Sequence, residues 1–173
     1  MRISQIKCAA IACASVMLTP ALCLAADVTL FNTAKVSLND AVMAAEKASG
    51  GKAVDVDFTK EKDMPTFDVT IARGDATEHY TVNAGAMKAM AVQNKGLLAK
   101  LDHEPKKERV AAQIAPVSMT SAVSKAESAT GGKAIEAELE TSGKMATYEI
   151  ELVKNGETIK SKVDAASGDV VKQ

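Results

Sequence analysis

The chain has 173 residues, a formal net charge of −1, 3% aromatic residues and no tryptophan. A charge this close to balance argues against nucleic acid or an anionic membrane surface as partner. So few aromatics leave little from which to build a stacking platform for bases or sugar rings.

Arg2 and Lys7 open the chain as a short basic region, and an apolar run over residues 8–18 follows, too short to cross a bilayer. Cys23-Leu24-Ala25 then offers small residues at both cleavage-determining positions, which makes residues 1–25 a secretory signal peptide. Lipidation at Cys23 is the rival reading, but Leu22 is bulky where a small residue is expected and Pro20 replaces the usual leucine. Cleavage near Ala25 or Ala26 removes Cys8, Cys13 and Cys23, which are all the cysteines. The mature protein then has no disulfide, thiol nucleophile or thiolate ligand. Losing Arg2 and Lys7 leaves 19 basic against 22 acidic residues, a charge of −3. A periplasmic or secreted protein is expected, with no membrane insertion after cleavage.

The stretch from Val36 to Val56 then appears twice. VSLNDAVMAAEKASGGKAVDV returns from Val117 as VSMTSAVSKAESATGGKAIEA, a constant shift of 81 residues. A fixed internal period marks a duplicated structural unit. The identities fall at capping, small apolar and glycine positions, and no catalytic grouping recurs. Each unit alone would be about 55–60 residues and marginal without disulfides, so the repeats are expected to lean on each other or on the intervening segment.

Each unit begins with a helix. Ser37 and Ser118 stand at N-cap positions, and Asp40 supplies a capping-box partner in the first copy. Leu38, Ala41, Val42, Ala45 and Ala48 fall at helical spacing, as do Met119, Ala122, Val123, Ala126 and Ala129. Gly50-Gly51 and Gly131-Gly132 end the helices. Strands follow, with Val54, Val56 and Phe58, or Ile135, Ala137 and Leu139, facing inward. The next strand turns Phe67, Val69 and Ile71, or Tyr148, Ile150 and Leu152, to the core.

Asn155-Gly156 and Gly74-Asp75 are hairpin turns that fix register. They set Leu152 opposite Ile159, Tyr148 opposite Val163, Glu151 opposite Lys160 and Glu149 opposite Lys162. In the first copy they set Val69 opposite Tyr80, Phe67 opposite Val82 and Thr70 opposite His79. One apolar and one polar face per hairpin is what a half-buried antiparallel sheet requires. A fourth short strand is expected at Val170-Val171 and over residues 89–93. The fold class is therefore α+β, two tandem repeats, each a helix on a small antiparallel sheet. Residues 26–93 form the first repeat, the charged stretch 94–116 a linker with a helical turn near Val110, and 117–173 the second.

Candidate chemistry is sparse. His79 and His103 lie in different segments, and no spacing brings them together on a metal. Both read as surface histidines. Glu136, Glu138, Glu140, Glu149 and Glu151 offer a cation site or acidic docking face, yet two of them have lysines opposite. Asp55, Asp57 and Asp68 have none, and with His79 they are the candidate partner-binding residues. Met87 and Met90 invite soft Cu(I), though without enough clustered ligands. Met64 and Met145 recur at equivalent positions, as expected of packing under a loop. Gly50-Gly51-Lys52 is no P-loop, because the glycines follow a helix instead of preceding one. No Gly-x-Ser-x-Gly, His-Glu-x-x-His or Cys/His pairing occurs. No catalytic residue, metal or cofactor is expected.

The second copy resembles the PepSY domain through Val117-Ser118-Met119, Gly131-Gly132-Lys133, its strand pair and the ending Val163-Asp164-Ala165-Ala166-Ser167-Gly168-Asp169-Val170-Val171. The first copy matches through Val82-Asn83-Ala84 and then departs at Gly85-Ala86-Met87-Lys88. PepSY domains occur in propeptides of secreted metallopeptidases and in bacterial envelope proteins. The resemblance implies a non-enzymatic binding or regulatory protein, with a peptidase or other envelope protein as partner and peptidase inhibition as its most concrete form. The alternative is a carrier of a small ligand or metal in the groove between the repeats. The first copy, departing from the family ending, is expected to carry the specific contact.

Overall fold

The computed structural model describes residues 28–94, 109–112, 115–142 and 145–171. The segment read as a signal peptide, His103 and most of the 94–116 stretch lie outside the described residues.

Helix α1 (Leu38–Ser49) and helix α2 (Met119–Thr130) start as their caps dictate. Ser37 Oγ accepts from the Asp40 amide at 3.2 Å, and Asp40 Oδ2 accepts from the Ser37 amide at 3.2 Å, a closed capping box. In α2 Ser118 caps the Ser121 amide at 3.2 Å, but no carboxylate returns the bond. Gly50 and Gly131 end the helices in the left-handed region, each at φ 73°. The buried stripes are Leu38, Ala41, Val42, Ala45 and Met119, Ala122, Val123, Ala126. Ala48 and Ala129, expected to continue them, are exposed. The last turn of each helix is held instead through Glu46 and Glu127, whose Oε1 atoms accept from the amides of Ala53 and Ala134 at 3.0 Å.

The strands are β1 (Lys52–Glu61), β2 (Met64–Arg73), β3 (Ala76–Asn83), β4 (Ala91–Asn94), β5 (Lys133–Ser142), β6 (Met145–Lys154), β7 (Glu157–Asp164) and β8 (Val170–Val171). Every hairpin pairing expected from the turns is present, from Val69–Tyr80 and Phe67–Val82 to Tyr148–Val163 and Leu152–Ile159. A further tight turn at Lys62-Asp63, with φ 49° and 65°, joins β1 to β2. Both copies carry a bulge at the same place, between Ala53 and Asp55 and between Ala134 and Glu136. The bulge buries Ala53 beside Val54 and leaves Ile135 half-buried instead of fully inward. Met64 and Met145 open β2 and β6 at 47% and 67% exposure, not packed under a loop.

The two sheets are one. Strand order β4-β3-β2-β1-β5-β6-β7-β8 makes a continuous eight-stranded antiparallel sheet, joined by β1 and β5. The junction pairs Asp55 with Glu138, Val56 with Ala137 and Asp57 with Glu136. Shifting by 81 residues exchanges the outer two pairs and returns the middle one to itself. The repeats thus meet as an isologous dimer would, about a pseudo-twofold passing between Val56 and Ala137. Both helices cover the same face, and one apolar cluster runs through both repeats, with Val42, Val54, Phe67, Val123, Ile150 and Leu152 fully enclosed. Residues 28–31 and 109–112 add a helical turn ahead of each repeat, and Phe31 stacks edge-on against Phe58 at 5.1 Å.

Candidate functional site

Because strand side chains alternate, putting Val56 and Ala137 into the core sends their neighbours to the opposite face. No described helix covers that face. Two rows of side chains cross it. One runs Thr81, Asp68, Asp57, Glu136, Glu151, Lys160, and the other His79, Thr70, Asp55, Glu138, Glu149, Lys162. Seven carboxylates stand side by side across the four central strands, with lysines only at the β7 end.

Like charges directly opposite across strands are unfavourable. Asp57 sits at the worst point, with Asp68 on one side and Glu136 on the other. Burial raises its pKa most, and Glu136, Glu138 and Asp68 add to this, to about 6. Glu138 is also pushed up, by burial first and then by Glu140 and Glu136. At the second repeat's outer strands the charge is matched: Lys160 Nζ lies 3.4 Å from Glu151 Oε2, and Lys162 pairs with Glu149.

The structure brings three of the four candidate residues together. Asp55, Asp57 and Asp68 share the ridge, braced by local hydroxyls: Thr59 and Thr81 donate to Asp68 at 3.1 and 3.0 Å, and Thr70 to Asp55 at 3.5 Å. His79 stands at its margin, half-buried, with Nδ1 3.3 Å from Thr70 Oγ1. Tyr80 belongs to the other face, buried, its hydroxyl donating to Glu78 at 2.9 Å. Glu136 and Glu138 complete the ridge. Their place in it was not legible in the sequence, since only the β1–β5 pairing sets them opposite Asp57 and Asp55.

The second repeat's closing signature is architectural. Asp164 Oδ1 accepts from the amides of Ala166 and Ser167 at 2.8 and 2.7 Å, which holds its pKa down. Ser167 Oγ accepts from the Asp169 amide at 3.1 Å, and Lys125 Nζ donates to the Gly168 carbonyl at 2.7 Å. In the first repeat Asn83 Oδ1 takes the place of Asp164, accepting from the Gly85 amide at 2.9 Å. Met87 and Met90 stand in solvent at 87% and 70% exposure near β4. Among the described residues no three His, Cys, Asp or Glu side chains gather as a metal site, and no helix is long and apolar enough to cross a membrane.

Residues 116–173 match the PepSY family, described as "Peptidase propeptide and YPEB domain". The second repeat thus matches the PepSY family along its length. No curated protein matches the chain. A solved structure from Clostridium difficile 630, provisionally described as a lipoprotein, is similar at 19% identity over 80% of this chain and 92% of that one, with a TM-score of 0.44.

Proposed function

We propose that the chain is a non-enzymatic binding or regulatory protein acting outside the cytoplasm, which engages a peptidase or another envelope protein through the acidic ridge of its uncovered sheet face. The observation that carries this reading is Asp57 held between Asp68 and Glu136. A fold that needed only stability would place a neutral or basic residue there. Lysine or arginine side chains of a partner relieve the repulsion and convert it into attraction, which also speeds encounter. The PepSY match favours a regulatory role, the signal-peptide pattern favours the periplasm, and a peptidase is the most concrete partner. The two repeats share the working face, with Asp55, Asp57 and Asp68 from the first and Glu136 and Glu138 from the second.

The test is binding to candidate secreted peptidases at low and high salt, with inhibition read in parallel. Binding that weakens with salt and with loss of the aspartates supports the reading. Salt-independent binding that is indifferent to the aspartates contradicts it.

A further inference from the structure

The pseudo-twofold generates a pair of equivalent cavities where each repeat's lead-in segment meets the other repeat's Gly-Gly-Lys turn, and the pair has diverged. One, about 210 Å3, lies between Ala115–Met119 and Glu46 with Gly51–Ala53. Its mate, about 350 Å3, lies between Ala34–Leu38 and Glu127 with Gly132–Ala134. Shifting by 81 residues carries one set of residues onto the other.

The smaller cavity is closed by its own side chains. Lys52 Nζ donates to the carbonyls of Ala112 and Ala115 at 3.3 and 3.4 Å. Tyr148 donates its hydroxyl to the Val117 carbonyl at 2.7 Å. In the larger cavity each of these is undone. The side chain of Lys133, the counterpart of Lys52, has no hydrogen-bond or ion-pair partner among the described residues. Phe67 replaces Tyr148, so the hydroxyl that holds the Val117 carbonyl has no counterpart at Val36. Lys35 replaces Pro116 and brings a second ammonium group, also without a partner among the described residues. Glu127 remains bound to the Ala134 amide, so the cavity has two cations against one carboxylate, whereas its mate has one of each. Phe31, Val36 and Leu38 supply apolar wall. An apolar cleft with a few convergent polar groups is the usual form of a small-molecule site.

We infer that this larger cavity binds a small amphiphilic carboxylate, its acyl body against Phe31, Val36 and Leu38 and its carboxylate between Lys35 and Lys133. Charge-assisted hydrogen bonds from two ammonium groups set the preference for an anion over a neutral head. This goes beyond the acidic-ridge reading, which concerns the opposite face of the sheet and stands or falls separately.

The test is amide NMR of the full chain titrated with octanoate, with octanol as the uncharged control. Saturable shifts at Ser37, Gly132, Lys133 and Ala134 are expected with millimolar octanoate. Octanol should bind at least about tenfold more weakly, and Lys35→Met with Lys133→Met should weaken octanoate by about tenfold or more. Both lysines are exposed, so the double variant should keep the wild-type melting temperature, and Lys52→Met should leave octanoate affinity unchanged. No saturable shift, equal binding of octanol, unchanged affinity in the double variant, or shifts confined to other residues would each overturn the inference.

Discussion

Asp57 and Glu136 face each other across the strand pair that joins the two repeats, two carboxylates in direct register at the centre of the sheet. The pseudo-twofold repeats the relationship in Asp55 and Glu138. An apolar pair, Val56 and Ala137, holds the junction together on one face while the charges oppose it on the other.

Replacing Asp57 with Asn should therefore stabilise the protein at neutral pH. The native pKa of Asp57 is about 6 against an ordinary 3.8, so the folded state takes up its proton first. Its favourable contribution is fully present below about pH 4 and is lost as pH rises through about 6. The unscreened linkage is about 3 kcal/mol, which solvent at this half-exposed site reduces to about 1. Thermal melts from pH 4 to 7 should show the variant gaining on wild type as pH rises, by about 2–4 °C at pH 7.

Val42→Asp and Val123→Asp should each unfold the whole chain and not one repeat. Both valines are fully buried, and an unpaired carboxylate there costs several kcal/mol. Since one sheet and one core run through both repeats, circular dichroism should show a single lost transition. A surviving half-amplitude melt would mean the repeats fold independently.

Gly51→Ala should destabilise more than Gly132→Ala, although the two glycines are equivalent in sequence. A β-carbon at Gly51 would lie 2.5 Å from Ile71 Cγ2 and 2.6 Å from the Ala72 carbonyl oxygen. At Gly132 the corresponding contacts are 3.0 Å to Leu152 Cβ and 3.2 Å to the Val153 carbonyl. Overpacking of the first kind costs about 1–3 kcal/mol, and urea denaturation should rank the variants in that order.

What could be read from the sequence was local. Asn155-Gly156 fixes Leu152 against Ile159 because a two-residue turn leaves no freedom in register. Ser37 with Asp40 and Gly50 bound a helix for the same kind of reason. The β1–β5 junction joins strands about 80 residues apart with no turn between them, so nothing nearby announces it. The bulges at Val54 and Ile135 were hidden because each run still alternates beyond them. Asp55, Asp57 and Asp68 stood out for lacking lysines opposite. That they face further carboxylates followed only from the junction.

Neutralising Asp55, Asp57 and Asp68 together as Asn should cost partner binding without costing stability. Capture from an envelope extract, with wild type and this triple variant immobilised side by side, measures that most directly. A protein retained by wild type, released by moderate salt and lost at least about tenfold on the variant is the expected result. Equal retention by both proteins, or a stoichiometric metal in the purified chain with no protein retained by either, would contradict the account.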